Sequence, residues 1–418
     1  MPSFFEMHIN TMADDLTITQ LSLKDRTVLF HEYVHFLQDF TTYFGLSKIY
    51  AYAEYIHEVV TQIYKRKETL FEVPYELKDN HNNVLLNQQL IRLAEGDSEQ
   101  AEQWQIEKIF DDIDKLPPND SIPELPNKTI LDKDGECRIF GAFAITESMA
   151  YILERLCSPN GYEKSPDFPY RSAEIIANYY SSAFATNLEC VLALCEMSLM
   201  FSNPGVCFIN TMESIKDGHL TFTTPEDIYN YFYKQEINSF SGQRTLIDSF
   251  VDLTNYVRKH LKSYVQGNDE LFHNYYLWVD NLLNFALDWR KNDVSFILKM
   301  AREPIEKNNP WGYCVCKVGS PLMCNKKGHY FFISPNGTNV TSELEYIKAT
   351  SQIMQLFNNA EYKCGLYELC KKSQGTTADE NCISSPWKKC NDEKLCPYAI
   401  LWKNWGLAKY SPCKRIVL

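Results

Sequence analysis

The stretch Arg26-Thr27-Val28-Leu29-Phe30-His31-Glu32-Tyr33-Val34-His35-Phe36-Leu37 decides how this chain is read. It follows Ser22-Leu23-Lys24-Asp25, in which Ser22 is placed to cap a helix. From Arg26 to Phe44 the chain has helical periodicity and neither glycine nor proline; Gly45 reads as the stop. A second helix is expected from Ser47 to Lys65. On the first helix, His31 and His35 stand one turn apart on one face. Two imidazoles at that spacing can aim a ring nitrogen at one Zn²⁺, at about 2.0–2.1 Å each. Glu32 projects to the side, where its carboxylate can take a proton from a metal-bound water whose pKa has fallen to about 7. The flanks Val28, Leu29, Phe30, Val34, Phe36 and Leu37 are apolar. Burying two histidines and a glutamate among them is costly unless they are paired or ligated. The competing reading is two half-exposed histidines on an amphipathic helix.

His31-Glu32-Tyr33-Val34-His35 resembles the motif of the HExxH zincin metallopeptidases. The resemblance covers those residues strongly and little else by motif. It implies a helix-borne zinc site, peptide-bond hydrolysis with Glu32 as general base, and a third protein ligand further along. No histidine or glycine follows His35 at metzincin spacing, so the implied arrangement is gluzincin-like, with a glutamate from a second helix. The best match is Glu147 in Gly141-Ala142-Phe143-Ala144-Ile145-Thr146-Glu147-Ser148-Met149-Ala150, similar to an ExxA ligand helix. Glu154, almost two turns on, shares its face and could accept the N–H of a liganding histidine. A rival is Glu174, in Glu174-Ile175-Ile176-Ala177; Glu189 and Glu196 are lesser candidates. Glu147 is preferred because its helix is otherwise apolar and follows a hairpin, so its charge needs a partner; a structural ion pair is the other role open to it. Such a peptidase also needs a donor to the tetrahedral oxyanion. Among 26 tyrosines, and with His219, His260 and His273 available, the sequence does not choose.

The chain has 418 residues, enough for two or three domains. It is 45% hydrophobic and 14% aromatic, which argues against global disorder. Its net charge of -13 argues against a chain-wide nucleic-acid surface, which needs clustered Lys and Arg. The segment from Ile383 to Leu418 is a basic exception, with seven Lys/Arg against two Asp/Glu. The opening residues Met1-Pro2-Ser3-Phe4-Phe5-Glu6 do not read as a signal peptide, and no apolar run reaches the roughly 20 residues that span a bilayer. The expectation is a cytoplasmic protein with no membrane partner, whose 14 cysteines are thiols or metal ligands.

Along the chain, residues 4–9 read as a strand and about 98–114 as a helix, broken at Leu116-Pro117-Pro118-Asn119-Asp120. Residues 128–140 read as a hairpin around Asp134-Gly135. A helix from Gly141 to Leu156 follows, with more at about 171–201, 225–235, 243–266, 270–302 and 341–358. Tyr313-Cys314-Val315-Cys316 and Tyr330-Phe331-Phe332-Ile333 read as strands. The expected fold is mainly α with a small β-sheet (α+β). Residues 1–305 form a zincin-like helical catalytic domain, and 306–418 a small Cys-rich α+β domain with a loop-like end.

That end holds Cys364, Cys370, Cys382, Cys390, Cys396 and Cys413, spaced C-x5-C-x11-C-x7-C-x5-C with Cys413 beyond. Four thiolates can hold a structural Zn²⁺ or an iron–sulfur cluster. Cys370, Cys382, Cys390 and Cys396 are the chosen set, with Cys364 as alternate; buried thiols acting as small hydrophobes are an equal reading. Cys314, Cys316, Cys324 and His329 form a second group, for which core packing is preferred.

Two functions follow as expectations. One is a zinc-dependent intracellular endopeptidase acting on a protein or peptide. By analogy it would be a regulated stress, toxin or defence protease, which leaves room for a regulatory protein partner. The other is a metal-stabilised binding module whose basic, Cys-rich end recruits protein or nucleic acid. A closed four-ligand site at His31 and His35 would favour the second.

Overall fold

In the computed structural model, residues 6–13, 18, 20–77, 83–114, 125–239, 242–263, 270–336, 344–372 and 378–415 are described. Met1 to Phe5 and the Leu116–Asp120 break lie outside them. The described chain is mainly helical with small sheets, an α+β architecture. Strand β1 (Met7–Ile9) leads to α1 (Leu23–Thr41), whose N-cap Ser22 accepts the Asp25 N–H. Helix α2 (Tyr43–Tyr64) follows at once, capped by Thr42. Gly45 does not stop the first helix; it sits in the first turn of the second. A Cβ there would lie 2.4 Å from the Gln38 carbonyl oxygen, so only glycine lets the chain turn this tightly.

Strand β2 (Leu70–Val73) and α3 (Asn83–Glu95) come next, then the antiparallel sheet β3 (Ile106–Asp114), β4 (Leu125–Asp132) and β5 (Cys137–Phe140). The 98–114 segment expected as a helix is therefore largely strand. Its Ile109 faces Ile130 of β4, and a register shift between Ile106 and Lys108 absorbs one residue. Asp134-Gly135 closes the β4–β5 hairpin, with Gly135 at φ +87°. Helix α4 (Ala142–Cys157) starts directly after β5.

Helices Ser172–Tyr180, Leu188–Ser198 and Phe296–Ala301 pack on α4, and His273–Asn292 packs on α1. Helix Leu188–Ser198 is buried almost throughout and packs on α4. Its Glu196 is fully buried and pairs with Arg290 of helix His273–Asn292 at 2.6 Å, while Tyr229 donates to the same carboxylate at 2.6 Å. Arg290 also donates to the Thr41 carbonyl at 2.7 Å, tying the end of α1 to this charge pair.

Residues 309–318 form a helix where Tyr313-Cys314-Val315-Cys316 was expected as a strand. Asn308 caps it and Pro310 fits its first turn, where a missing N–H costs nothing. Cys314 and Cys316, two residues apart on a helix, point apart: Cys314 is buried and Cys316 exposed. Tyr330–Phe331 is a short strand. The end of the chain is built of short helices, not loop alone: Tyr367–Lys372, Asn381–Ser384 and Pro397–Asn404 precede the strand Ser411–Lys414.

The boundary expected near residue 305 is bridged twice. β1 pairs in parallel with Met323–Asn325, and Ser411–Lys414 pairs in parallel with β2. Both halves also contribute to one apolar core. Among the described residues no helix is long and apolar enough to cross a membrane.

Candidate metal centre

Helices α1 and α4 pack face to face, and the small Ala144 and Ala150 are fully buried on α4. This contact brings His31 and His35 of α1 against Glu147 of α4. The two Nε2 atoms are 3.2 Å apart. Glu147 reaches His31 Nε2 with Oε2 at 3.3 Å and His35 Nε2 with Oε1 at 3.5 Å. All three side chains are 12–15% exposed.

The other face of each ring is fixed. His31 Nδ1 lies 2.8 Å from Glu154 Oε2, so it carries the hydrogen. His35 Nδ1 lies 2.9 Å from Gln38 Oε1. The amide orientation of Gln38 is set by its own donation to the Thr146 carbonyl at 3.1 Å, so its oxygen must face His35. In the neutral rings both Nε2 atoms then present lone pairs, to one another and to a carboxylate. Lone pairs and a charge crowded this way call for a cation between them: a metal ion or a proton.

A zinc fits this donor set. Two nitrogens at Zn–N distances of about 2.0–2.1 Å on a tetrahedral ion would stand about 3.3 Å apart, close to the observed spacing. The three ligand atoms all lie within 4.8 Å of one another, and no fourth His, Cys, Asp or Glu joins them among the described residues. Without an ion, protons take its place. Burial opposes charge on His31, but its hydrogen bonds to the Glu147 and Glu154 carboxylates outweigh it and hold its pKa well above the usual value. His35 is raised in the same way, chiefly by Glu147 against burial. Burial pushes Glu147 up, yet His35 and His31 together bring it well below the usual carboxylate range.

Glu32 stands beside this group and lines, with His35 and Glu147, a cavity of about 220 Å³. Burial raises its carboxyl pKa against the opposing charges of His35 and His31. Phe44, Phe143 and Leu199 line the cavity together with Asp39, Thr42, Thr146 and the Lys48–Glu95 ion pair. Tyr170, which the sequence does not single out, has its ring 6.1 Å from that of His31. Burial, and then the charges of Glu147 and Glu32, push its hydroxyl up to about 12, so it keeps its proton at neutral pH. It lies just before the helix Ser172–Tyr180, with no motif to mark it.

The rival carboxylates are engaged elsewhere. Glu174 pairs with Arg155, Glu196 with Arg290 and Glu189 with Arg302. Of the C-terminal cysteines, Cys370, Cys382 and Cys396 line one small void together with Cys364, the alternate. Cys390 is not among them: its thiol faces the Ala408 carbonyl at 3.7 Å. Glu6, His8 and Cys324 also cluster, but the Lys348 ammonium bonded to Glu6 already supplies a cation there.

Comparison with protein-family models, curated proteins and solved structures finds no match to this chain.

Proposed function

We propose that this chain is a zinc-dependent peptidase of the zincin type, with His31, His35 and Glu147 as metal ligands. The observation that carries the proposal is the convergence of two hydrogen-bond-oriented Nε2 atoms and one carboxylate on a single point. A set of three protein ligands suits an open catalytic site better than a closed structural one.

A zinc ion held there would supply Lewis acidity and an acidified water. Glu32 would act as the general base. Its raised pKa strengthens it as a proton acceptor and lets it deliver the proton to the departing amine. Glu154 and Gln38 hold the imidazoles in one tautomer and one orientation. Tyr170 keeps a proton at neutral pH and is the candidate donor to the carbonyl oxygen as negative charge builds on it. The mixed lining of the cavity, with Phe44, Phe143 and Leu199 beside Asp39 and the Lys48–Glu95 pair, would seat a short stretch of peptide.

The test pairs metal analysis with proteolysis. Wild-type protein should carry zinc and cleave peptides from a mixed peptide library. The H31A/H35A double variant should lose one zinc equivalent and all cleavage. Equal zinc in both proteins, or cleavage by the double variant, would overturn the proposal.

A further inference from the structure

Cys364, Cys370, Cys382 and Cys396 come from four separate segments and line one buried void, whose other walls are Leu366, Tyr367, Pro397 and Tyr398. The void measures about 10 Å³, room for about one water-sized sphere. The backbone assembles it deliberately. The Cys364 N–H donates to the Cys382 carbonyl at 2.7 Å, clamping two of the segments together. Cys370 follows on the helix that begins at Tyr367. Cys396 is the residue before the helix Pro397–Asn404.

Backbone N–H groups lie beside two of the sulfurs, Leu366 at Cys364 and Ala399 and Tyr398 at Cys396. N–H groups placed beside cysteine ligands orient and tune metal centres. One further group points to an occupant. Tyr398 is 1% exposed and lines the void, and its hydroxyl has no hydrogen-bond partner among the described residues. A buried hydroxyl left unpaired is costly, and an acceptor inside the void would relieve it.

The spacing chooses between occupants. Four thiolates on one zinc at about 2.3 Å would stand about 3.8 Å apart. No three of these sulfurs lie mutually within 4.8 Å. That spacing is wider than one tetrahedral zinc would set. We propose that Cys364, Cys370, Cys382 and Cys396 hold a [4Fe–4S] cluster whose inorganic sulfide accepts the Tyr398 hydroxyl. Cys390 and Cys413 take no part: their thiols face the carbonyls of Ala408 and Phe71. This centre is separate from the histidine site and stands whether or not the chain is a peptidase.

The test is iron and acid-labile sulfide content of the full chain, purified without oxygen and reconstituted with ferrous iron and sulfide. About four of each per chain, with a broad visible absorption lost on reduction, is the expected result. C364S and C382S should lose most of the iron, while C390S and C413S keep it. If the first two fail to fold, the wild-type content alone decides. Zinc in place of iron, lost in C382S, would overturn the cluster. So would iron retained in C364S, or wild-type protein that takes up no iron.

Discussion

Glu154 accepts the Nδ1–H of His31 at 2.8 Å from two turns along the helix that also carries Glu147. One helix thus supplies both the proposed third ligand and the group that orients the first. Partners of this kind typically change metal affinity by 10–100-fold when removed. E154Q should weaken zinc binding by about 10-fold, measured by competition with a chromophoric chelator. Unchanged affinity would mean that His31 needs no such support.

Glu32 lines the same cavity as His35 and Glu147. E32Q should keep its zinc and lose activity by at least about 10²-fold, the usual scale of a general base. Metal content and turnover of one preparation check both halves. An active, zinc-loaded E32Q protein would remove Glu32 from the chemistry.

Protons and zinc compete for the same nitrogens. In the metal-free protein His31 has a folded pKa raised above its unfolded value. Its contribution to stability is therefore full below the unfolded pKa, about 6.5, and is lost as pH rises through the folded one. Zinc must displace that proton, so apparent zinc affinity should rise with pH. Calorimetry near neutral pH, in buffers of different ionisation enthalpy, should register net proton release. Uptake without release would show the empty site to hold neutral imidazoles.

Tyr170 tests the donor role directly. Y170F should lower kcat by about 10²-fold with zinc content unchanged, as when an oxyanion donor is removed. A change in KM alone would make it a substrate-positioning residue instead.

Glu196 and Arg290 form the buried charge pair beneath the end of α1. R290M leaves the carboxylate buried beside Tyr229 with its cationic partner gone. Breaking such a pair costs about 3–5 kcal/mol, which denaturant unfolding would read. A loss under about 1 kcal/mol would mean that the carboxylate simply takes up a proton.

The sequence shows the two helices that build the site because their signals are local. Ser22 marks the start of α1, and the i, i+4 pair His31 and His35 needs only one turn of helix. Glu147 and Glu154 stand out as charges on an apolar run. Ile106, Ile109, Phe110 and Ile113 recur at helical intervals, yet pairing with β4 makes that segment a strand. Tyr313 to Cys316 alternates like a strand, while the deciding signals, Asn308 and Pro310, lie just before it. Tyr170 is invisible, and Cys364 legible only as an alternate, for a different reason. Their roles come from neighbours far along the chain, which spacing cannot report.

The parallel pairing of Ser411–Lys414 with β2 has a kinetic consequence. Cys413 donates to the Phe71 carbonyl, a partner 342 residues earlier. While the chain is being synthesised, that edge of β2 has no strand to receive until residue 414 has left the ribosome. The edge strand β1 waits likewise for Met323–Asn325. Local helices can form early during translation, but both parallel pairings must wait for strands made late, and such long-range closures are slow. A chain released before Met323–Asn325 is made would carry two unpaired strand edges, ready substrate for the cell's own chaperones and proteases.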